Sequence, residues 1–502
     1  MMIGKNGVSK LNIITTLCNQ LVTTACGILI PHILIASFGS EAYGISVSIT
    51  QFLSYITLLE SGIGGVARAK LYGPLARNDT GEISAVYHAI RSFFQWVAGA
   101  FLLYSLVLGF AYHDIAHVTI FSRPYIFALV LIIGLSTLAK YMGGLANLTL
   151  IVADQKQYIN NVILIATTLA NTLAIVILTK MKADLIWVKL GSSLIFVVRP
   201  VLYAIYVKKH YRITKKEKTK AVLEQKWTGI GQHIAYFLHT NTDVVLLTVF
   251  ANTTLVAVYA VYNLVIGSIR SISESFSGGM EAAFGEMIAK GQVSRLRRSY
   301  KRYKTLLVSV SGVLFSCTGI LIVPFVQLYT RGVTDADYVQ PVFALILLMA
   351  EAINCMMLPC TSLPVAANHL KQTRWGAYGE AIINIVLSCI LVRWNPLIGV
   401  ALGTLIATLF RGIFYMIYSG KHILHISVIG LLLRFAGVMA AIGAVSWGGS
   451  RLMRYVTVDS YFRWALWGAL VFTVLCLPVA LLCKMQLTKL KEKENEADSD
   501  CQ

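Results

Sequence analysis

Charge is what this chain has least of. Asp, Glu, Lys and Arg make up only 13% of its 502 residues, against ~25% in a typical soluble domain. With a hydrophobic fraction of 57% and a mean hydropathy of +0.69, this scarcity excludes a cytosolic enzyme of several domains. A disulfide framework is missing too. Of nine cysteines, eight lie in apolar runs and Cys501 sits in the tail, with no CxxC pair and no metal-ligand cluster; they read as small, soft, buried residues. HExxH, GxSxG, Walker A and dinucleotide fingerprints are all absent, so no catalytic residue, metal or cofactor is assigned and a non-enzyme is expected. Acids are scarcer than bases, 23 against 43, leaving a formal charge of +20. On so apolar a chain that excess is expected to orient membrane spans rather than to bind nucleic acid.

Apolar runs fill the rest. Fourteen follow one another from 11–36 to 462–483, each near the ~20 residues that cross a bilayer. The first is expected to be a retained span, being too long for a signal-peptide core. With the N-terminus inside, the inner segments hold 29 basic residues and the outer ones 8, which places both termini in the cytoplasm. Every outer loop is short, so no outer domain is available for a catalytic site. The two large inner loops, 208–226 and 280–304, are basic and are expected to lie on anionic lipid. The segment from Lys484 is charged and poor in apolar residues, and disorder is expected there.

An internal repeat organises these spans. Arg199, Tyr203, Ile205, Tyr206, Lys209 and His210 recur as Arg411, Tyr415, Ile417, Tyr418, Lys421 and His422 at one offset of 212, which also relates Gly191 to Gly403. Tyr43, Ser61 and Gly62 echo Tyr259, Ser277 and Gly278 at an offset of 216. The expected fold is therefore an all-α polytopic membrane protein with about 14 transmembrane helices. Two parallel six-helix bundles, 1–207 and 228–422, would surround a central cavity, as in rocking transporters. A basic linker (208–227), two additional helices (423–483) and a charged cytoplasmic tail (484–502) complete the division.

Ionised groups inside spans cost about 2.5–3.5 kcal/mol each on insertion scales, so they face a partner or water. The bases are Lys140, Lys189, Arg199, Arg270, Arg411 and Arg434; the acids are Glu60, Asp243, Glu274, Glu351 and Glu380. Lys189 and Arg434 lie close enough to an interface to snorkel. Lys140 lies roughly 22 Å from the outer end of its span, and Arg199 and Arg411 roughly 13 Å from the inner end, so with Arg270 they are the candidate cationic cavity residues. Arg270 and Glu274, at i and i+4, have the alternative of an intrahelical ion pair. Asp243 is the first candidate for a coupling cation or proton, with a structural hydrogen-bonded role as its alternative. Glu351, three residues before Asn354, and Glu274 follow. Pro359 and Pro364 would bend their helix, either as a hinge or as a static kink.

Phe38-Gly39-Ser40-Glu41-Ala42-Tyr43-Gly44, then Leu59-Glu60-Ser61-Gly62-Ile63, then Asp243 followed by Val258-Tyr259-Ala260, resemble bacterial polysaccharide flippases. These are the O-antigen and capsule repeat-unit exporters of the multidrug/oligosaccharidyl-lipid/polysaccharide (MOP) superfamily, and the resemblance covers about the first 420 residues. Fourteen spans suit this branch better than the twelve of its drug-exporting relatives. An acid usually precedes the glycine of span two in the family; here Ser61 separates Glu60 from Gly62. The resemblance implies an undecaprenyl-diphosphate-linked oligosaccharide carried from the inner to the outer leaflet of the bacterial cytoplasmic membrane. H+ or Na+ as coupling ion, membrane lipid and other polysaccharide-assembly proteins are the implied partners. The alternative is a cation-coupled multidrug or metabolite antiporter of the same superfamily.

Overall fold

A computed structural model describes the backbone of residues 5–60, 64–214, 230–275 and 278–499. Among the described residues every regular element is a helix. The repeat partners Ser61, Gly62 and Ser277, and most of the basic linker, lie outside this set. The chain divides into two compact units. One comprises Met1–Phe237 with Asn252–Ala257, the other Leu238–Ala251 with Val258–Gln502.

The first unit holds α1 (Lys5–Ser54), α2 (Thr57–Glu60), α3 (Gly64–Arg77), α4 (Thr80–Ile115) and α5 (Arg123–Ala139). A π-helical turn (Lys140–Gly144) follows, then α6 (Leu145–Ala153), α7 (Gln157–Lys180) and α8 (Leu185–His210). At 1.5 Å per residue α1 would run about 75 Å, far beyond a ~30 Å hydrocarbon core. It contains two of the expected runs, joined at Gly39, whose φ of 84° is open to glycine and costly for other residues. Its end is broken at Tyr55–Ile56, where the Tyr104 hydroxyl donates to the Phe52 carbonyl at 2.8 Å. The core gathers Ile45 and Ile49 of α1, Phe94 and Phe101 of α4, Leu129 of α5 and Tyr141. After α8 the chain is clasped by Tyr211, which donates to Asp154 at 2.6 Å; burial and that bond push its phenol well above the usual range.

The second unit holds α9 (Ile230–Phe250), which begins in the first, and α10 (Thr253–Ser275), α11 (Gly278–Ala289), α12 (Val293–Tyr329) and α13 (Pro341–Ala366). Then come α14 (Leu370–Leu391), α15 (Pro396–Ser419), a second π turn (Gly420–Leu424), α16 (Val428–Met453) and α17 (Tyr461–Ser499). α12 packs against α13, α16 and α17. The Trp464 indole of α17 donates to the Leu321 carbonyl at 3.1 Å, one turn before the helix-bending Pro324. α14 and α15 form a close hairpin. A Cβ on Gly399 would strike the Leu391 carbonyl, and one on Gly403 the Ser388 hydroxyl, with the Ser388 backbone nitrogen at 2.9 Å. This is the small-residue contact that membrane helices use to approach closely. Gly403→Leu is therefore expected to lower the thermal midpoint and the monodisperse yield in detergent, since overpacking costs about 1–3 kcal/mol or more. Gly437→Ala, where a Cβ would meet nothing within 4 Å, should leave both unchanged.

One expectation is not confirmed and one changes. Eleven helical segments among the described residues are long and apolar enough to cross a membrane, where fourteen were expected. The two runs of α1 share one segment, α14 carries Lys371, Arg374 and Glu380, and most side chains in the first half of α9 lie outside the described set. The tail from Lys484, expected to be disordered, continues α17 as far as Ser499. Its Lys, Glu and Ala residues are strong helix formers, and they extend a helix that the membrane-length apolar run has already nucleated.

Candidate functional site

In the first unit, the helix break after α1 presents Glu60 at the end of α2, and the π turn between α5 and α6 presents Lys140. Such turns recur at functional sites in helices. Lys140 Nζ donates to Glu60 Oε2 at 3.1 Å, and the buried Tyr141 hydroxyl donates to the same oxygen at 2.8 Å. The Lys140 side chain is still 43% exposed, so it can meet a ligand while paired. Gly144, the last residue of this turn, packs on Pro200 of α8, which places Arg199 on the adjoining element. Arg199 Nε donates to Thr167 Oγ1 at 2.7 Å and Nη2 to Thr168 Oγ1 at 3.2 Å. Its guanidinium lies 4.2 Å from the centroid of the Phe196 ring.

In the second unit, Arg270 reaches across from α10 to α13. Its Nη1 lies 3.0 Å from Glu351 Oε1, while Glu274 on its own helix is farther, at 3.8 Å from Nε. The interhelical pair thus prevails over the i, i+4 pair. Asn354 donates to the other oxygen of Glu351 at 3.3 Å. Arg411 pairs with Glu380 at 3.1 Å, and that carboxylate is only 1% exposed. Three of the four candidate cations therefore have an acidic partner on another helix. Lys140 and Arg199 belong to one unit, Arg270 and Arg411 to the other.

Asp243 differs from the other acids. It is buried, and among the described residues no Lys, Arg or His stands within ion-pair distance. Tyr259 donates to Oδ2 at 2.9 Å, and the Thr404 hydroxyl lies 3.1 and 3.0 Å from Oδ1 and Oδ2. Asn384, fully buried, donates to Thr404 at 2.9 Å while its own Oδ1 has no hydrogen-bond partner among the described residues. The two carboxylate oxygens are the hard oxygen set that suits a small cation, with Thr404 and Asn384 as a hydrogen-bonded chain behind them. Asn384 and Thr404 escaped the sequence reading; a polar pair at the close α14–α15 contact, beside Gly403, was the signal. Among the described residues no three His, Cys, Asp or Glu side chains gather as a metal site. A separate pocket of about 140 Å³ in this unit is lined by His369 and His422 within an apolar wall, and holds none of these charges.

No family model and no curated protein matches the sequence. Solved structures do. A lipid II flippase MurJ in an inward closed conformation aligns with a TM-score of 0.68 at 13% identity, over 95% of this chain and 99% of that one. The MATE multidrug transporter DinF-BH aligns with a TM-score of 0.59 at 16% identity, over 84% and 96%. An inward-facing MATE family transporter of the MOP superfamily gives 0.54 at 12%, over 81% and 98%. The chain is a multi-pass membrane protein with the MOP-like transporter fold.

Proposed function

We propose that the chain translocates undecaprenyl-diphosphate-linked oligosaccharide repeat units from the inner to the outer leaflet of a bacterial cytoplasmic membrane. It does so by alternating access, for cell-surface polysaccharide biosynthesis, with both termini cytoplasmic. The observation that carries this reading is the extent of the structural likeness. The flippase alignment spans 95% of the chain, whereas the two multidrug transporters leave about a sixth or more unmatched. The chemistry agrees. A sugar head group cannot cross hydrocarbon without hydrogen-bonding partners, at a few kcal/mol per unpaired hydroxyl, and a diphosphate needs cations. Lys140 and Arg199, both of the first unit, supply them. Outward movement of two negative charges across an inside-negative membrane releases about 4.6 kcal/mol per 100 mV, and entry of H+ or Na+ at Asp243 adds to that drive. Glu351 and Glu274, engaged by Arg270, are secondary candidates for the ion.

A host lacking the gene should accumulate lipid-linked repeat units on the cytoplasmic leaflet and lose surface polymer, with both restored by the wild-type gene. The likeness to multidrug transporters favours a second reading, cation-coupled export of drugs or metabolites. Normal surface polymer together with increased accumulation of a cationic dye would select it.

A further inference from the structure

The repeat offers a comparison of one position in two chemical settings. The offset of 212 carries α7 onto α14 and α8 onto α15 with its π turn, so that Arg199 corresponds to Arg411 and Thr168 to Glu380. In each hairpin the arginine reaches across to that same facing residue, Arg411 to Glu380 at 3.1 Å and Arg199 to Thr168 at 3.2 Å. The geometry is shared and the charge is not. Arg411 is neutralised by a carboxylate. Arg199 has two threonine hydroxyls, and among the described residues no acid lies within ion-pair distance of it. Hydroxyls solvate a guanidinium without cancelling its charge. Arg199 also stands about 16 Å along α8 from His210, too deep to snorkel, and an unneutralised charge at such depth calls for a counter-ion.

We propose that Arg199, Thr167 and Thr168 form a subsite for a phosphate-ester anion, and that Arg411 is its structural counterpart, closed by an internal acid. Two of the five guanidinium donors go to the threonines, which fix its plane over Phe196 and leave an edge for paired phosphate oxygens. The Thr167 hydroxyl donates to the Ile163 carbonyl at 2.7 Å, so it holds Arg199 purely as an acceptor. The Thr168 hydroxyl keeps its proton for the anion. The assignment rests on the reading that the cargo carries a diphosphate.

The test uses the full-length protein in phosphatidylcholine nanodiscs, titrated with geranylgeranyl diphosphate, and with geranylgeraniol as the uncharged control. Thr168→Glu rebuilds at Arg199 the pair that Arg411 already has. It is expected to weaken diphosphate binding at least tenfold without changing geranylgeraniol binding. Arg199→Gln should do the same, Arg199→Lys should lose less, and the double variant Arg411→Met/Glu380→Met should stay within twofold of wild type. Thermal melts of each variant report whether it is folded. Equal diphosphate binding by folded wild type, Thr168→Glu and Arg199→Gln overturns the subsite and leaves the transport reading standing. No diphosphate binding by folded wild type that also carries no copurified phosphatidylglycerol overturns the transport reading, and the subsite with it. Native mass spectrometry separates the two sources of the anion. Phosphatidylglycerol that copurifies with wild type, is absent from Thr168→Glu and resists displacement by the diphosphate would make the occupant a resident lipid headgroup and support the subsite on that chemistry.

Discussion

Glu380→Ala is expected to be the most destabilising single change considered, costing about 3–5 kcal/mol. That is the usual penalty for removing one partner of a buried ion pair. Glu380 is 1% exposed and Arg411 is 20% exposed, and the two meet at 3.1 Å between α14 and α15. Removing the acid leaves a permanent guanidinium charge, only 20% exposed, without that carboxylate. Arg411 does not escape by losing its proton, because guanidinium stays charged at any ordinary pH. Replacing both members by methionine removes the charge together with its partner, and such swaps are often neutral or stabilising. The measurement is a double-mutant cycle on denaturant unfolding in detergent micelles, comparing Glu380→Met, Arg411→Met and the double methionine variant, with Glu380→Ala beside them. A loss below about 1 kcal/mol for Glu380→Ala, or a double variant no more stable than the single one, would show that water already reaches this pair.

Much of the helical layout was legible in the sequence, because apolar runs of membrane length leave the backbone one way to satisfy its hydrogen bonds. The repeat paired α8 with α15, since Arg, Tyr, Lys and His in register mark equivalent positions on a helix even where the apolar residues drift. The partners of the charges were not legible. Glu60 and Lys140 are 80 residues apart, and nothing in either local pattern says that a broken helix end and a π turn will bring them together. Periodicity misses such breaks because Tyr55 and Ile56 are as apolar as their neighbours. For Arg270, sequence spacing put Glu274 forward, while the fold brings Glu351 closer; packing between helices decides that competition. The Asp243 site was half legible. A lone acid in a span stands out, whereas Asn384 and Thr404 are unremarkable until α14 and α15 are seen to touch. Two of the expected fourteen runs share the kinked α1, and α14 carries three charges; apolar pattern alone does not describe either helix.

Asp243→Asn should abolish any stabilisation of the protein by its coupling cation and reduce export at least tenfold. The amide keeps the shape of the side chain and two polar atoms for Tyr259 and Thr404, so the fold is expected to survive. It lacks the charge that makes the oxygen set attractive to a cation. A ligand that binds only the folded state stabilises it by RT ln(1 + [L]/Kd), about 2.7 kcal/mol at a hundredfold excess over Kd. Wild type should therefore melt higher in sodium than in choline at equal ionic strength, if sodium is the ion, and Asp243→Asn should melt alike in both. Should a proton be the ion, the two salts will not differ for wild type, and export by wild type will instead depend on the pH gradient while Asp243→Asn export does not. Thr404→Val removes the hydroxyl that bridges Asp243 and Asn384. Losing a hydrogen bond to a charged group costs about 1.5–3 kcal/mol, so this variant should fall between wild type and Asp243→Asn. Full export by Asp243→Asn, at normal protein levels and with an unchanged response to salt and pH gradient, would return Asp243 to a structural role. The drive for transport would then fall on the substrate's own charge, and the dependence of export on membrane potential would have to account for all of it.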